Sequence, residues 1–203
     1  MRIVGGTAGG RRLLGPPKGA PLRPTSDRVR EAIFDVLSAA LPGGVRGRVI
    51  DLFAGTGALG IEALSRGADF ALFVERDPAA LRVLRENLRR AGFADRAEVR
   101  AADARRAVRA LDPTRTAPFD LAFLDPPYRT GMALPLAGRL HERGFLQADA
   151  VVVIECGAGD PEEAPEGFET LRAKRYGDTR VLFLKQREGG SAGGSAGSAG
   201  RPT

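Results

Sequence analysis

From Val49 onward, short runs, most of them predominantly apolar, alternate with longer segments whose apolar residues recur at helical spacing. The runs are VIDLF, FALFVE, AEVRA, FDLAFLD and AVVVIEC, and the periodic segments lie at 57–66, 78–91, 104–111 and about 130–143. Runs without polar alternation suit strands buried on both faces, and helix-length connections between them predict a parallel α/β sheet. Ahead of these runs, apolar residues at 29, 33, 36, 37, 40 and 41 follow the capping types Thr25, Ser26 and Asp27 and stop at Pro42-Gly43-Gly44. That pattern predicts one amphipathic helix. After an acidic stretch at 160–169, two extended pieces near 169–176 and 179–185 meet at Gly177-Asp178, a hairpin signal. The expected architecture is a seven-stranded, mostly parallel Rossmann-like sheet with an antiparallel C-terminal hairpin.

The flanks read differently. Residues 1–24 are rich in Gly, Pro and Arg and predict a short basic arm, within which Ile3-Val4 and Leu13-Leu14 would pair as a small hairpin. Residues 25–187 form the expected domain, and 188–203, EGGSAGGSAGSAGRPT, cannot bury enough apolar surface to order themselves. At 203 residues, 43% hydrophobic and 28% charged, the chain has the composition of one soluble domain. No run approaches a membrane span and the start lacks the apolar core of a secretory leader, so a cytoplasmic chain is the expectation, and its small size without a second domain makes a monomer the default. One cysteine, Cys156, and one histidine, His141, argue against an internal disulfide and a Cys/His zinc site.

Charge changes the picture once it is located. Of the net +6, residues 1–30 carry seven cations and one anion, while the other 173 residues balance at 24 of each. Arginines clustered on a Gly/Pro-rich arm match phosphate oxygens and release counterions from a polyanion; a solvated basic tail explains them equally well.

The turn after the first strand reads Asp51-Leu52-Phe53-Ala54-Gly55-Thr56-Gly57-Ala58-Leu59-Gly60. Its GxGxxG spacing, with Glu75 about twenty residues on, fits a dinucleotide site. Asp51 opposes that reading, because a carboxylate at the strand mouth repels a pyrophosphate and attracts a cationic sulfonium with its ammonium group. S-adenosylmethionine has that charge pattern. Glu75 can accept ribose hydroxyls. Asp103 can read an adenine edge or cap the next helix, and the two roles are compatible. The fourth strand ends in Asp125-Pro126-Pro127-Tyr128. Two prolines remove backbone donors and leave carbonyl acceptors beside a carboxylate, a corner suited to an exocyclic amine, with Tyr128 as a stacking surface for the base.

These segments together resemble the bacterial RsmD family of 16S rRNA (guanine-N2) methyltransferases. The resemblance runs from Arg2-Ile3-Val4-Gly5-Gly6 and Gly10-Arg11-Arg12-Leu13, through Arg23-Pro24-Thr25-Ser26-Asp27-Arg28-Val29-Arg30, the cofactor turn and Asp125-Pro126-Pro127-Tyr128, to Tyr176-Gly177-Asp178-Thr179. It implies a class I S-adenosylmethionine-dependent fold and methyl transfer to N2 of one guanine, of the position-966 type, on a small ribosomal subunit precursor. On this resemblance Asp51, Phe53, Gly55 and Gly57, with Glu75, Arg76, Asp103 and Ala104, hold the cofactor. Asp125, Pro126 and Tyr128 act on the base, and Arg11, Arg12, Arg23, Arg28 and Arg30 meet RNA, with Arg28 or Arg30 alternatively facing the cofactor carboxylate. Residues 51–128 alone leave open adenine-N6 methylation of DNA or RNA, and a non-catalytic RNA-binding assembly factor is a further alternative.

Overall fold

A computed structural model of the chain describes residues 1–16, 27–41, 43–127, 130–157, 163–177 and 179–187. Thr25, Ser26, Arg23, Tyr128, Asp178 and the tail 188–203 lie outside the described residues. Helix α1 spans Asp27–Ala40 and is followed by β1 (Arg48–Asp51), α2 (Ala58–Ser65), β2 (Phe70–Glu75), α3 (Pro78–Ala91) and β3 (Ala97–Ala101). Then come α4 (Ala104–Ala110), β4 (Phe119–Leu124), α5 (Ala133–Glu142), β5 (Leu146–Gly157), β6 (Phe168–Tyr176) and β7 (Thr179–Gln186). One sheet holds all seven strands in the order β3-β2-β1-β4-β5-β7-β6. The first five are parallel, and β7 runs antiparallel to both β5 and β6.

The apolar runs of the inner strands are long because those strands are covered on both sides, while β3 and β6 at the sheet edges are more exposed. Alternate residues divide between two cores: Val49, Phe73, Phe123, Val153 and Phe183 pack with α1, α2 and α3, while Ile50, Leu72, Ala122, Val152 and Leu182 pack with α4 and α5. Local chemistry sets the helix ends. Asp77 caps α3 by accepting from the Ala80 amide at 2.7 Å, Pro78 occupies the first turn, and Gly92 ends the helix at φ 76°.

One strand boundary departs from the expectation by several residues. Strand β5 starts at Leu146 rather than Ala150, because a register shift between Phe119 and Leu121 accommodates Gln147, Ala148 and Asp149. Those three residues are exposed, so no apolar run marks them, and Asp149 takes φ 64°. Strand β6 lies at the sheet edge and exposes most of its side chains.

The larger correction concerns the N-terminus. A hairpin-like turn forms, but in another register than Ile3-Val4 on Leu13-Leu14: Arg2 is bridged to Arg12, Ile3 and Leu13 donate to the Arg11 and Met1 carbonyls, and residues 1–16 are part of the domain rather than a free arm. Ile3, Ala8 and Leu13 are buried in the α1–α3 core. Glu62, fully buried in α2, accepts the Val4 and Gly5 amides at 2.7 and 2.8 Å and the Arg66 Nε at 2.9 Å. Asn87 of α3 takes the Leu14 amide at 2.7 Å and donates to the carbonyls of Leu14 and Thr56.

This packing reassigns one arginine. Arg30 is 1% exposed, lies 3.5 Å from Glu62 and 2.9 Å from Asp27, and donates to the Arg2 carbonyl. Burial and local neutralisation remove it from any RNA-facing or cofactor-facing role. Arg11 is exposed and donates Nη1 to the Ala91 carbonyl at 2.8 Å, at the C-terminal end of α3. Arg12 and Arg28 are exposed.

Replacing Glu62 with Ala would leave two backbone amides and the buried Arg30 without this carboxylate. We expect a loss of about 3–5 kcal/mol of stability, the cost of breaking a buried ion pair from one side. Urea unfolding measures it, and a loss below about 1 kcal/mol would show the pairing to be dispensable.

Candidate functional site

Parallel strands in register deliver their C-terminal ends to one edge of the sheet. Asp51 pairs across to Phe73 and Phe123, Glu75 to Ala101, and Leu124 to Ile154. In spatial order along β3-β2-β1-β4-β5, the edge therefore presents Asp103, Glu75, Asp51, Asp125 and Glu155. Five neighbouring strands each contribute one carboxylate.

The β1–α2 turn carries the glycines, and their roles divide. A side chain at Gly57, at φ 86°, would meet Leu84 at 2.4 Å, and one at Gly60 would meet the Phe73 ring at 2.3 Å. Both glycines permit close packing. Gly55, at φ 53°, has no heavy atom within 4 Å of where a Cβ would stand, so this glycine leaves the approach to the backbone open. Phe53, half-buried, precedes it in the same turn.

Asp51 is 2% exposed and accepts the Gly60 amide at 3.3 Å, one turn into α2. Burial raises its pKa to about 7; the Gly60 and Phe53 amides pull it down, and the Glu75 and Glu155 carboxylates push it further up. Glu75 holds the turn itself: one oxygen accepts the Gly55 amide at 2.8 Å, the other the Arg76 and Asp77 amides at 2.7 and 2.8 Å. A carboxylate offers about four lone-pair sites, so seating two ribose hydroxyls on Glu75 means exchanging one amide for a hydroxyl. Asp103 caps α4 by accepting from Arg105 and Arg106, so the capping role is present, and the exposed Arg76 stands 3.8 Å from it. Ala104 is buried in the first turn of α4.

Asp125 follows β4 directly. Desolvation holds its pKa well above the ordinary carboxylate range, and the charges of Glu155 and Asp51 act in the same direction. Pro126 is buried and Pro127 exposed. Beside them opens a cavity of about 250 Å³, walled by the two prolines, the start of α5 and the end of β5. Glu155 lines it at 5% exposure. Sequence reasoning missed Glu155, although the signal was there: one acid inside the apolar run AVVVIEC. Cys156 is buried as expected and lines the same cavity.

The donor set fits a cationic adenosyl cofactor. An acidic rim opposes a pyrophosphate and favours a sulfonium, and the open Gly55 lets a ligand reach the backbone.

Comparison with known proteins agrees. The family model described as Conserved hypothetical protein 95 matches residues 1–185. The chain belongs to this family, the RsmD family. Its similarity to ribosomal RNA small subunit methyltransferase D of Escherichia coli is 38% identity over 178 residues, covering 85% of this chain and 80% of that protein. A solved hypothetical protein of Thermus thermophilus matches with a TM-score of 0.72 and 34% identity, over 90% of this chain and 98% of that one. An RNA methyltransferase from Salinibacter ruber, solved with S-adenosyl-L-homocysteine, shares the fold at TM-score 0.60 and 20% identity, over 84% and 98% of the two chains. The RsmD assignment and the class I methyltransferase fold thus agree with the sequence reading.

The raised pKa of Asp51 has a signed consequence for stability. The folded chain keeps a proton up to about pH 7 that the unfolded chain releases near 3.8, so this group makes the apo protein less stable as pH rises across that window. We expect Asp51→Asn to gain stability relative to the parent progressively between those pH values and no further above them. Paired unfolding curves across pH check this; a gap independent of pH would contradict it.

Proposed function

We propose that the chain transfers a methyl group from S-adenosylmethionine to N2 of one guanine in 16S rRNA, of the position-966 type, on a small-subunit assembly intermediate. The observation that carries the reading is the continuous carboxylate edge ending at an amine-accepting corner. Family membership and the relatives named as ribosomal RNA small subunit methyltransferase D support the substrate class.

When bound, the cofactor supplies an electrophilic methyl on a sulfonium. Asp51 and the Gly55 turn would hold its charged end, Glu75 its ribose hydroxyls, and the start of α4 at Asp103 and Ala104 its adenine. The chemistry of the chain's own residues lies at Asp125. A guanine amine is a poor nucleophile because its lone pair is delocalised into the ring. The Asp125 carboxylate and the Pro126 carbonyl accept its two protons and draw the nitrogen toward tetrahedral geometry. On accepting a methyl group, N2 must shed one proton. A carboxylate with a raised pKa suits its capture near neutral pH. Tyr128 is assigned to stacking on the base, which must be splayed out of its helix to reach the cavity.

The exposed Arg12 and Arg28, with Arg23, are assigned to RNA phosphates. Arg12→Ala and Arg28→Ala should each lower the slope of log K against log salt by about 0.7 for a single-stranded contact. Filter binding across salt concentrations measures this, and an unchanged slope removes the residue from the interface.

Asp125→Ala should lower the rate by about 10²–10⁴-fold while cofactor affinity stays within several-fold, because the carboxylate acts on the amine. Single-turnover methylation and calorimetry separate the two, and full activity would sink the mechanism. Mass-spectrometric mapping of rRNA from cells lacking the protein tests the reaction itself. The expected result is one missing 2-methylguanine; labelling of adenine in DNA or free RNA instead would favour the adenine-N6 reading.

A further inference from the structure

The turn at Gly55 stays open toward a ligand, so its backbone has to be fixed from behind. Its own neighbourhood supplies part of that. The Gly55 amide is held by Glu75 at 2.8 Å, the Gly57 amide by the Ala54 carbonyl at 2.7 Å, and the Gly60 amide, where α2 begins, by Asp51 at 3.3 Å. The Thr56 carbonyl is held by a more distant element. Asn87 of α3, fully buried, donates Nδ2 to it at 2.9 Å.

The same side chain also grips residue 14. Nδ2 donates to the Leu14 carbonyl at 3.1 Å, and Oδ1 accepts the Leu14 amide at 2.7 Å. A primary amide offers two N–H donors and one acceptor oxygen, and Asn87 places all of them on two backbone segments. Neither Thr56 nor Leu14 lies in a helix or strand, so a side chain does for them what a ladder does elsewhere. A leucine at 87 would pack beside Leu84, Leu88 and Ala91 with no amide to bury. Met1 reaches the same turn, its Sδ 3.9 Å from the Thr56 hydroxyl. Leu14 in turn follows Arg11 and Arg12 directly, so whatever seats residue 14 also places the exposed Arg12 assigned above to RNA.

We infer that Asn87 is a positioning residue that couples the cofactor turn to the N-terminal segment: it orients Thr56 while Leu14 is seated, and a ligand that fixes the turn seats Leu14 in return. Asn87 acts through these two backbone segments. Once its amide leaves Thr56, the peptide between Thr56 and Gly57 can rotate, because Gly57 has no Cβ to oppose the new φ. Coupling of this kind is reciprocal: the ligand tightens residue 14 by the factor that a seated residue 14 tightens the ligand. The inference rests on the cofactor placement proposed above and adds the element that regulates it.

The probe is S-adenosyl-L-homocysteine, with the full-length chain. Amide hydrogen exchange, read residue by residue by NMR, compares Leu14 with Val4 and Gly5, which lie in the same segment but are held by Glu62. At saturating ligand the Leu14 amide of the parent should gain about 10-fold more protection than Val4 and Gly5, a size typical of coupling between sites. General stabilisation of the fold would protect all three alike. Asn87→Asp keeps an acceptor for the Leu14 amide and removes the donor to Thr56. In this variant calorimetry should show affinity for S-adenosyl-L-homocysteine about 10-fold weaker, and the extra protection of Leu14 should vanish. Asn87→Leu, which removes both links without burying a charge, should weaken the ligand to a similar extent.

A purely structural asparagine would lower the unfolding midpoint and leave the affinity of the folded variants unchanged. That result, or equal protection of Leu14, Val4 and Gly5 in the parent, overturns the coupling and leaves the proposed function standing. The comparison within the parent decides the matter even where neither variant folds. A parent with no affinity for S-adenosyl-L-homocysteine overturns the cofactor placement and this inference with it.

Discussion

Parallel pairing imposes the constraint on which this molecule depends: strands that run the same way end on the same side. Five strands do so here, and each carries an acid at or just past its end. Antiparallel strands would scatter those acids over two edges. Burial holds Asp51 and Asp125 above the ordinary carboxylate range, and concentrating the acids adds like-charge repulsion in the same direction. A cationic ligand relieves that repulsion, which makes the edge selective by charge before any shape is matched.

The glycines of the β1–α2 turn show how far one motif can mislead. Their spacing matches a dinucleotide fingerprint, yet two of the three exist because Leu84 and Phe73 press against them. Only Gly55 leaves the backbone approachable. The spacing records how a helix packs on a sheet, a requirement shared by folds that bind quite different adenosyl ligands. Ligand identity is carried by the neighbouring charges, and Asp51 is the residue that separates the two possibilities.

Much of this was legible in the chain itself. A strand buried on both faces is written as an unbroken apolar run, as in β2, and the half-exposed β3 as an alternating one, so both were delimited to the residue and the order of elements followed. The carboxylates after β1 to β4 stood at motif positions. What escaped reading depended on partners distant in the chain. Arg30 lies on the α1 pattern with nothing local to mark it as buried; only Glu62, brought in from α2, neutralises it. Glu155 hid inside a strand because a lone acid in an apolar run has no period to betray it. The start of β5 was missed for the opposite reason, since its first residues face solvent on a bulged strand.

The docking of the first sixteen residues bears on the order in which the molecule can be made. Val4 finds its acceptor 58 positions further along the chain, Leu14 at 73 and Arg11 at 80. None of these bonds can close until α2 and α3 have been made, so Ile3, Ala8 and Leu13 reach their buried setting only with elements that follow them in the chain. Closing loops of this length carries an entropic cost that contacts between near neighbours avoid.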